Sequence, residues 1–531
     1  MGACGAGQQS LFSDGLVHHG GASCCLRCEA HTSNLGVSLM ANLHIFQAAI
    51  RCEWRNLRHD PALWLVLAMI LCTVTYALHN GKVLEKRQTL SVAAASVDEQ
   101  KRLTDLRANL ADIEAGKVPP PDRPYRDPRN AIFVGNGRGA TNLSLPPHPL
   151  AITAVGQSDL YPPTVLVSTG SKDTFLFSNE IDNPVHLLAG SFDLAFVLVF
   201  VYPLWILALT YNLVSGEREQ GTLALTASCS VHLRTVMIGK LLVRAGLPIL
   251  FTLVSVFSGL IFFIGSNLAG TVQSLVIMAL AIILYGAFWA ALSGAVNGLL
   301  SRDSAYNALL LVAAWIGLLL IVPTLVNAWA ETRYPSPSRA ELVFAVRAAK
   351  VDADRERDAA LVGTPEEHSR GGVTHTHEDK LERGSLRERT LRSLASVQAA
   401  TARADEIIAT HDTKLQQQHT LAERLAFASP AMLMYDALAE IAGTGRSRYQ
   451  DFSDQVDHFH QQWCDFFVCR AKAERMLTVD DYDRFPRFHY LENPDIGTSS
   501  RVVFEMTGIS FLVFVFTWLA AQGFRRCRVT S

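Results

Sequence analysis

The chain has 531 residues, 49% of them hydrophobic, a formal net charge of -2 and a mean hydropathy of +0.18. So balanced a charge lacks the basic excess of nucleic-acid binders, and no nucleic-acid partner is expected. The apolar residues are unevenly spread, which suits a chain part embedded in a membrane and part exposed to water.

Residues 1–40 contain no apolar signal-peptide core, and Gly2 lacks the Ser or Thr at position 6 that myristoylation requires. The CCLRC run there matches no standard zinc spacing. The segment reads as a disordered leader or as a mis-assigned start, with Met40 the true first residue. Over 41–60, Leu43, Phe46, Ile50 and Trp54 recur at helical spacing, with Arg51, Arg55 and Arg58 elsewhere on the wheel. This predicts an amphipathic helix lying on the cytoplasmic face of the membrane, or else an ordinary basic flank.

Crossing the hydrocarbon core takes about 20 apolar residues in a helix. Six stretches qualify: 61–79, 187–211, 245–268, 270–299, 305–329 and 502–522. Gly286, Gly294 and Gly298 predict that the fourth is tilted or broken. Lys and Arg accumulate on the cytoplasmic side of short loops. Arg51, Arg55 and Arg58, then Arg218, Arg234, Lys240 and Arg244, then Arg302, then Arg525, Arg526 and Arg528 all fall on one side of six crossings. Both termini are therefore expected in the cytoplasm, with the 523–531 tail, and the insertions 80–186 and 330–501 outside. The expected class is an all-α polytopic membrane protein with a mainly helical, partly β extracytoplasmic domain built from the two insertions. In the second insertion, two charged helices separated near HSRGGVTHTHEDK predict an antiparallel arm packed on the helix of the first.

Motifs for chemistry are missing. No Gly-Lys pair is followed by Ser or Thr, HEDKL lacks the second His of a zincin, and no G-x-S-x-G elbow occurs. The chain is thus expected to be no enzyme and to bind no cofactor. His375 and His377 beside Glu378 offer a weak metal set, better read as a solvated hinge. Cys464 and Cys469 allow a disulfide, or two free buried thiols. Within the spans, Asp193, Ser293, Asn297 and Glu505 are the polar residues, and Asp193, Ser293 and Asn297 are candidates for a translocation path. Asp193 and Glu505 are expected near the outer edge, within reach of water.

The stretch NLVSGEREQGTLALTASCSVHLRTVMIGKLL, Asn212–Leu242, resembles the signature of ABC-2-type permeases, in which the second membrane helix runs into a cytoplasmic S-x-E-x-E-x-G-T-L segment. Ser215, Gly216, Glu217, Arg218, Glu219, Gly221, Thr222, Leu223, Gly239 and Lys240 carry the match. GQSDLYP at 156–162, the run from Asn183 to Leu204 and the run from Ser429 to Phe452 resemble a bacterial subfamily with two large periplasmic insertions. The resemblance implies a permease in the inner membrane that pairs with a second permease subunit, identical or paralogous, and with two copies of an ABC ATPase carrying ATP and Mg. It assigns ATPase coupling to Ser215, Glu217, Arg218, Glu219, Gly221 and Thr222 within the 212–244 segment. Ser215 is expected to cap the coupling helix, and its acids to favour the helix start and meet the partner. Membrane lipids and an envelope partner complete the expected contacts. Transport and ATPase-driven mechanotransmission are both compatible with the resemblance.

Overall fold

A computed structural model describes residues 35–121, 126–156, 158, 163–170, 192–223, 233–265, 270–300, 303–335, 338–361, 383–493 and 500–526. The leader, His375, His377 and most of the GQSDLYP stretch lie outside them. Helix α1 (Leu35–Leu57) is followed by a sharp corner. There Asp60 accepts the Ala62 amide at 2.9 Å, and Pro61 takes the first helical position, where no amide is needed. From this start α2 (Pro61–Glu114) runs 54 residues unbroken, far past the apolar stretch that begins it.

The chain continues through α3 (194–210, with a π turn at Val197–Val201), α4 (Ser215–Glu219), α5 (Leu233–Ile264), α6 (Val272–Leu299) and α7 (Ser304–Arg333). Then come α8 (Arg339–Leu361), α9 (Arg383–Leu425), α10 (Pro430–Ile441), α11 (Arg446–Lys472), α12 (Val479–Asp483) and α13 (Ser500–Arg526). Six stretches are long and apolar enough to cross a membrane: α2, α3 together with α4, α5, α6, α7 and α13. Among the described residues the strands are β1 (Thr141–Ser144) and β2 (Thr164–Val167), an antiparallel pair that sets Asn142 opposite Leu166. This is an all-α polytopic make-up.

Helix α6 is the axis of the bundle, packed against α13, α3, α5 and α10, with Tyr285, Phe288 and Trp289 wholly buried. Contrary to the glycine-based expectation, it is not broken. Its glycines admit neighbours instead: Gly286 faces the Tyr202 hydroxyl, Gly294 faces Leu241, and Gly298 faces the backbone of Gly523. Small residues at helix crossings let backbones approach without opening the helix.

A second core lies beyond the bundle. Leu106 and Leu110 of α2 pack with Leu143, Val165 and Val167 of the strand pair and with Phe452, Phe459, Trp463 and Phe467 of α11. The indole of Trp463 donates to the Gly135 carbonyl at 3.2 Å, so its polar edge is paired where its ring is buried. Helices α8 and α9 form the expected antiparallel arm, with Leu342, Val346 and Ala404 in the seam and Arg403 paired to Glu356. The foot of the arm rests on α7, a correction to the expected packing along α2. The outer half of α2 is already covered by β1, by the turn Ala151–Thr153 and by α12.

Candidate functional site

The segment that follows α3 is short. The chain leaves the helix at Thr210, turns through Tyr211–Val214, makes the single turn of α4 and ends it at Gly221, whose φ of +71° suits glycine. Ser215 does not cap this helix, as the sequence suggested. Val214 holds the cap position, and the Ser215 hydroxyl instead accepts from the Ser304 hydroxyl at 2.9 Å, at the first turn of α7.

The two acids of the turn have different surroundings. Glu219 is exposed, and its carboxylate accepts the Ser304 amide at 2.6 Å, so it serves the start of α7. Glu217 points inward and pairs with Lys240 of α5. Lys240 is 3.6 Å from Glu53 of α1, and the other oxygen of Glu53 takes the Arg244 guanidinium at 2.5 Å. Arg244 also donates to the Asn212 side chain at 2.6 Å. Two carboxylates and two cations thus alternate and nearly cancel, a requirement for charges this far from water. Arg218 is half-buried, and Thr222 donates to the Glu217 carbonyl at 3.2 Å, which closes the turn. Glu219, Gln220 and Gly221 form its exposed tip.

Beneath the turn, Asn297 of α6 is completely buried. Its carbonyl oxygen accepts from the Val214 amide at 3.4 Å and from the Asn307 side chain of α7 at 3.3 Å. Its amide donates to the Thr210 and Ser293 carbonyls at 3.2 and 2.9 Å. The Ser293 hydroxyl donates to the same Thr210 carbonyl, also at 3.2 Å. The freed carbonyl at the end of α3 is therefore satisfied by α6. Ser293 and Asn297 join helices.

Asp193 lies far from these residues, at the other end of α3. One carboxylate oxygen accepts the Phe196 amide and the other the Val155 amide, both at 2.7 Å. It caps the helix and ties it to the outer domain. Asp193 and Glu505 are only 3% and 4% exposed, so the expectation that water reaches them is corrected. Glu505 sits under α10, whose Glu440 is also buried and accepts from Ser447 and Arg501. Burial pushes the Glu440 carboxyl above its ordinary range, and its bonds to Ser447 oppose the shift.

Cys464 and Cys469 are free and form no disulfide. Both stand on α11, where five residues of separation turn side chains about 140° apart. Nor are both buried, since Cys469 is exposed and only Cys464 is partly covered, 3.5 Å from His460. Among the described residues no group of three or more His, Cys, Asp or Glu is arranged to hold a metal ion.

Reading the sequence missed Glu53, Ser304 and Asn307, and took Lys240 and Arg244 for orientation markers or motif letters. Glu53 did leave a signal: it is the one acid in the basic run from Arg51 to Arg58.

Residues 391–491 match the family described as "Domain of unknown function (DUF3526)". The match takes in most of α9 with α10, α11 and α12, and none of the six apolar helices. No curated protein and no solved structure matches the chain.

Proposed function

We propose that this chain is the permease subunit of an ABC-2-type transporter, paired with a second permease subunit and driven by two copies of a separate ATPase to export a substrate across a bacterial inner membrane. The ATP and magnesium belong to the ATPase. In this reading the end of the molecule bearing α1 and α4 is cytoplasmic, and the arm and second core are periplasmic. One observation carries the proposal: the turn Ser215–Glu219 is fastened to α5, α6, α7 and α1 through Glu217–Lys240–Glu53, Val214–Asn297 and Glu219–Ser304. A push on its exposed tip is delivered to four helices at once. Docking on the ATPase falls to Glu219, Gln220 and Gly221, while Glu217 holds the turn in place.

A second reading, an ATPase-driven device that moves the outer domain without carrying a substrate, draws support from the packing of α6. Ser293 and Asn297 are bonded into the bundle, and Gly294 packs on Leu241. In both readings the motor is the same.

The test is co-purification of the full-length chain with its ATPase in detergent. Glu219→Lys with Gln220→Arg is expected to leave membrane insertion intact and abolish ATPase recovery, as is Glu217→Lys with Glu219→Lys. Undiminished recovery with the tip variant counts against docking. A small molecule retained in the intact complex, identified by mass spectrometry, separates transport from mechanotransmission.

A further inference from the structure

Helix α1 has two opposed faces. Phe46 and Ala49 lie over Gly239 of α5, Glu53 is 1% exposed in its ion pairs, and Leu57 is buried in the bundle core. At 100° per residue these four share one side of the wheel. Arg51, Arg55 and Arg58 fall within about 60° of one another on the opposite side, and all three are exposed. No carboxylate pairs with Arg51 or Arg55 among the described residues. Trp54, beside them, is 45% exposed.

The level of this face is set by the corner into α2. The Trp64 indole donates to the Arg58 carbonyl at 3.0 Å, and Asp60 caps α2, so the end of α1 and the start of α2 are tied together. The apolar run of α2 opens directly after, with Trp64 and Leu65 exposed on its first turn. Three guanidiniums one turn before a membrane-crossing stretch, with indoles beside them, stand where lipid headgroups lie. The clamp through Glu53 keeps that face turned outward.

We infer that Arg51, Arg55 and Arg58 form a binding surface for anionic phospholipid headgroups. Guanidinium forks match phosphate oxygens in charge and geometry, and the exposed indoles suit the boundary between headgroup and acyl chain. The site is independent of any ATPase.

The experiment uses the full-length chain in neutral detergent, with its melting temperature followed as phosphatidylglycerol or phosphatidylcholine is added to the micelles. Phosphatidylglycerol is expected to raise the wild-type midpoint by several degrees, phosphatidylcholine to leave it unchanged, and high salt to weaken the gain. Arg51→Gln with Arg55→Gln and Arg58→Gln is expected to lose the gain, and the corresponding triple Lys variant to keep most of it. If the triple Gln variant does not fold, Arg55→Gln alone is expected to reduce the gain. A full gain in the Gln variants, an equal gain from phosphatidylcholine, or an equal gain from inorganic phosphate overturns the inference. So does a basic face that binds an acidic protein partner in preference to phosphatidylglycerol.

Discussion

Gly298 of α6 and Gly523 of α13 meet backbone to backbone: a Cβ on Gly523 would stand 2.7 Å from the carbonyl carbon of Gly298, and one on Gly298 would stand 3.1 Å from that of Gly523. No flexible side chain lies between them to yield, so any added carbon separates two helices. The crossing sits just below Asn297, at the end of the bundle that carries the coupling turn.

Gly523→Val is therefore expected to cost about 1–3 kcal/mol, the usual penalty of overpacking a tight contact. Gly246 in α5 is the control, since nothing lies within 4 Å of its added Cβ. Gly246→Ala is expected to be neutral or to gain about 0.5–1 kcal/mol from helix propensity. Thermal unfolding in detergent compares the two, and a Gly523→Val variant that melts with the wild type would refute the contact.

Glu53 balances Lys240 and Arg244 at once, with side chains of the three only 2%, 15% and 21% exposed. Glu53→Gln leaves two cations with the single carboxylate of Glu217, at a cost of about 1–3 kcal/mol. Adding Lys240→Met removes one surplus charge and is expected to recover part of the loss. A double-mutant cycle on unfolding midpoints reads the coupling, and strict additivity would rule out the shared network.

His148, in the outer domain, accepts the Leu150 amide at its Nδ1 at 3.3 Å, which requires the neutral ring. Burial and then the nearby Arg448 guanidinium hold its pKa below the ordinary value, against the pull of Glu492 and a bond to Ala442. As pH falls through about 6.5, the unfolded chain takes up the proton first. Stability present above that pH is lost below it, until the folded ring also titrates. Unfolding midpoints between about pH 8 and pH 5 are expected to show this fall, and His148→Gln to flatten it. An unchanged slope in the variant would assign the fall to other groups.

The six apolar helices were legible because hydropathy over some 20 residues survives any tertiary context. What joins them was not. Gly81 reads as a break between a span and a charged helix, yet α2 passes through it unbent. The glycine is there because a Cβ would stand 2.1 Å from the Ile152 carbonyl oxygen. The acid-rich turn after α3 stood out by its pattern, but the pattern says nothing of direction. Glu217 and Glu219 are two residues apart on one helical turn, and only the distant Lys240 and Ser304 decide that one is sheltered and the other displayed. Asp193 was singled out as an unusual acid in an apolar run, and its purpose depends on the Val155 amide, which no local spacing reveals.

The unbroken course of α2 has a mechanical consequence. At 1.5 Å per residue its 54 residues make a rod about 81 Å long. Rocked by about 10° at its foot, such a rod would carry its far tip sideways by roughly 14 Å. A displacement too small to unpack the bundle would thus reach the strand pair and α12 as a sweep wider than a helix, the behaviour of a needle on a dial.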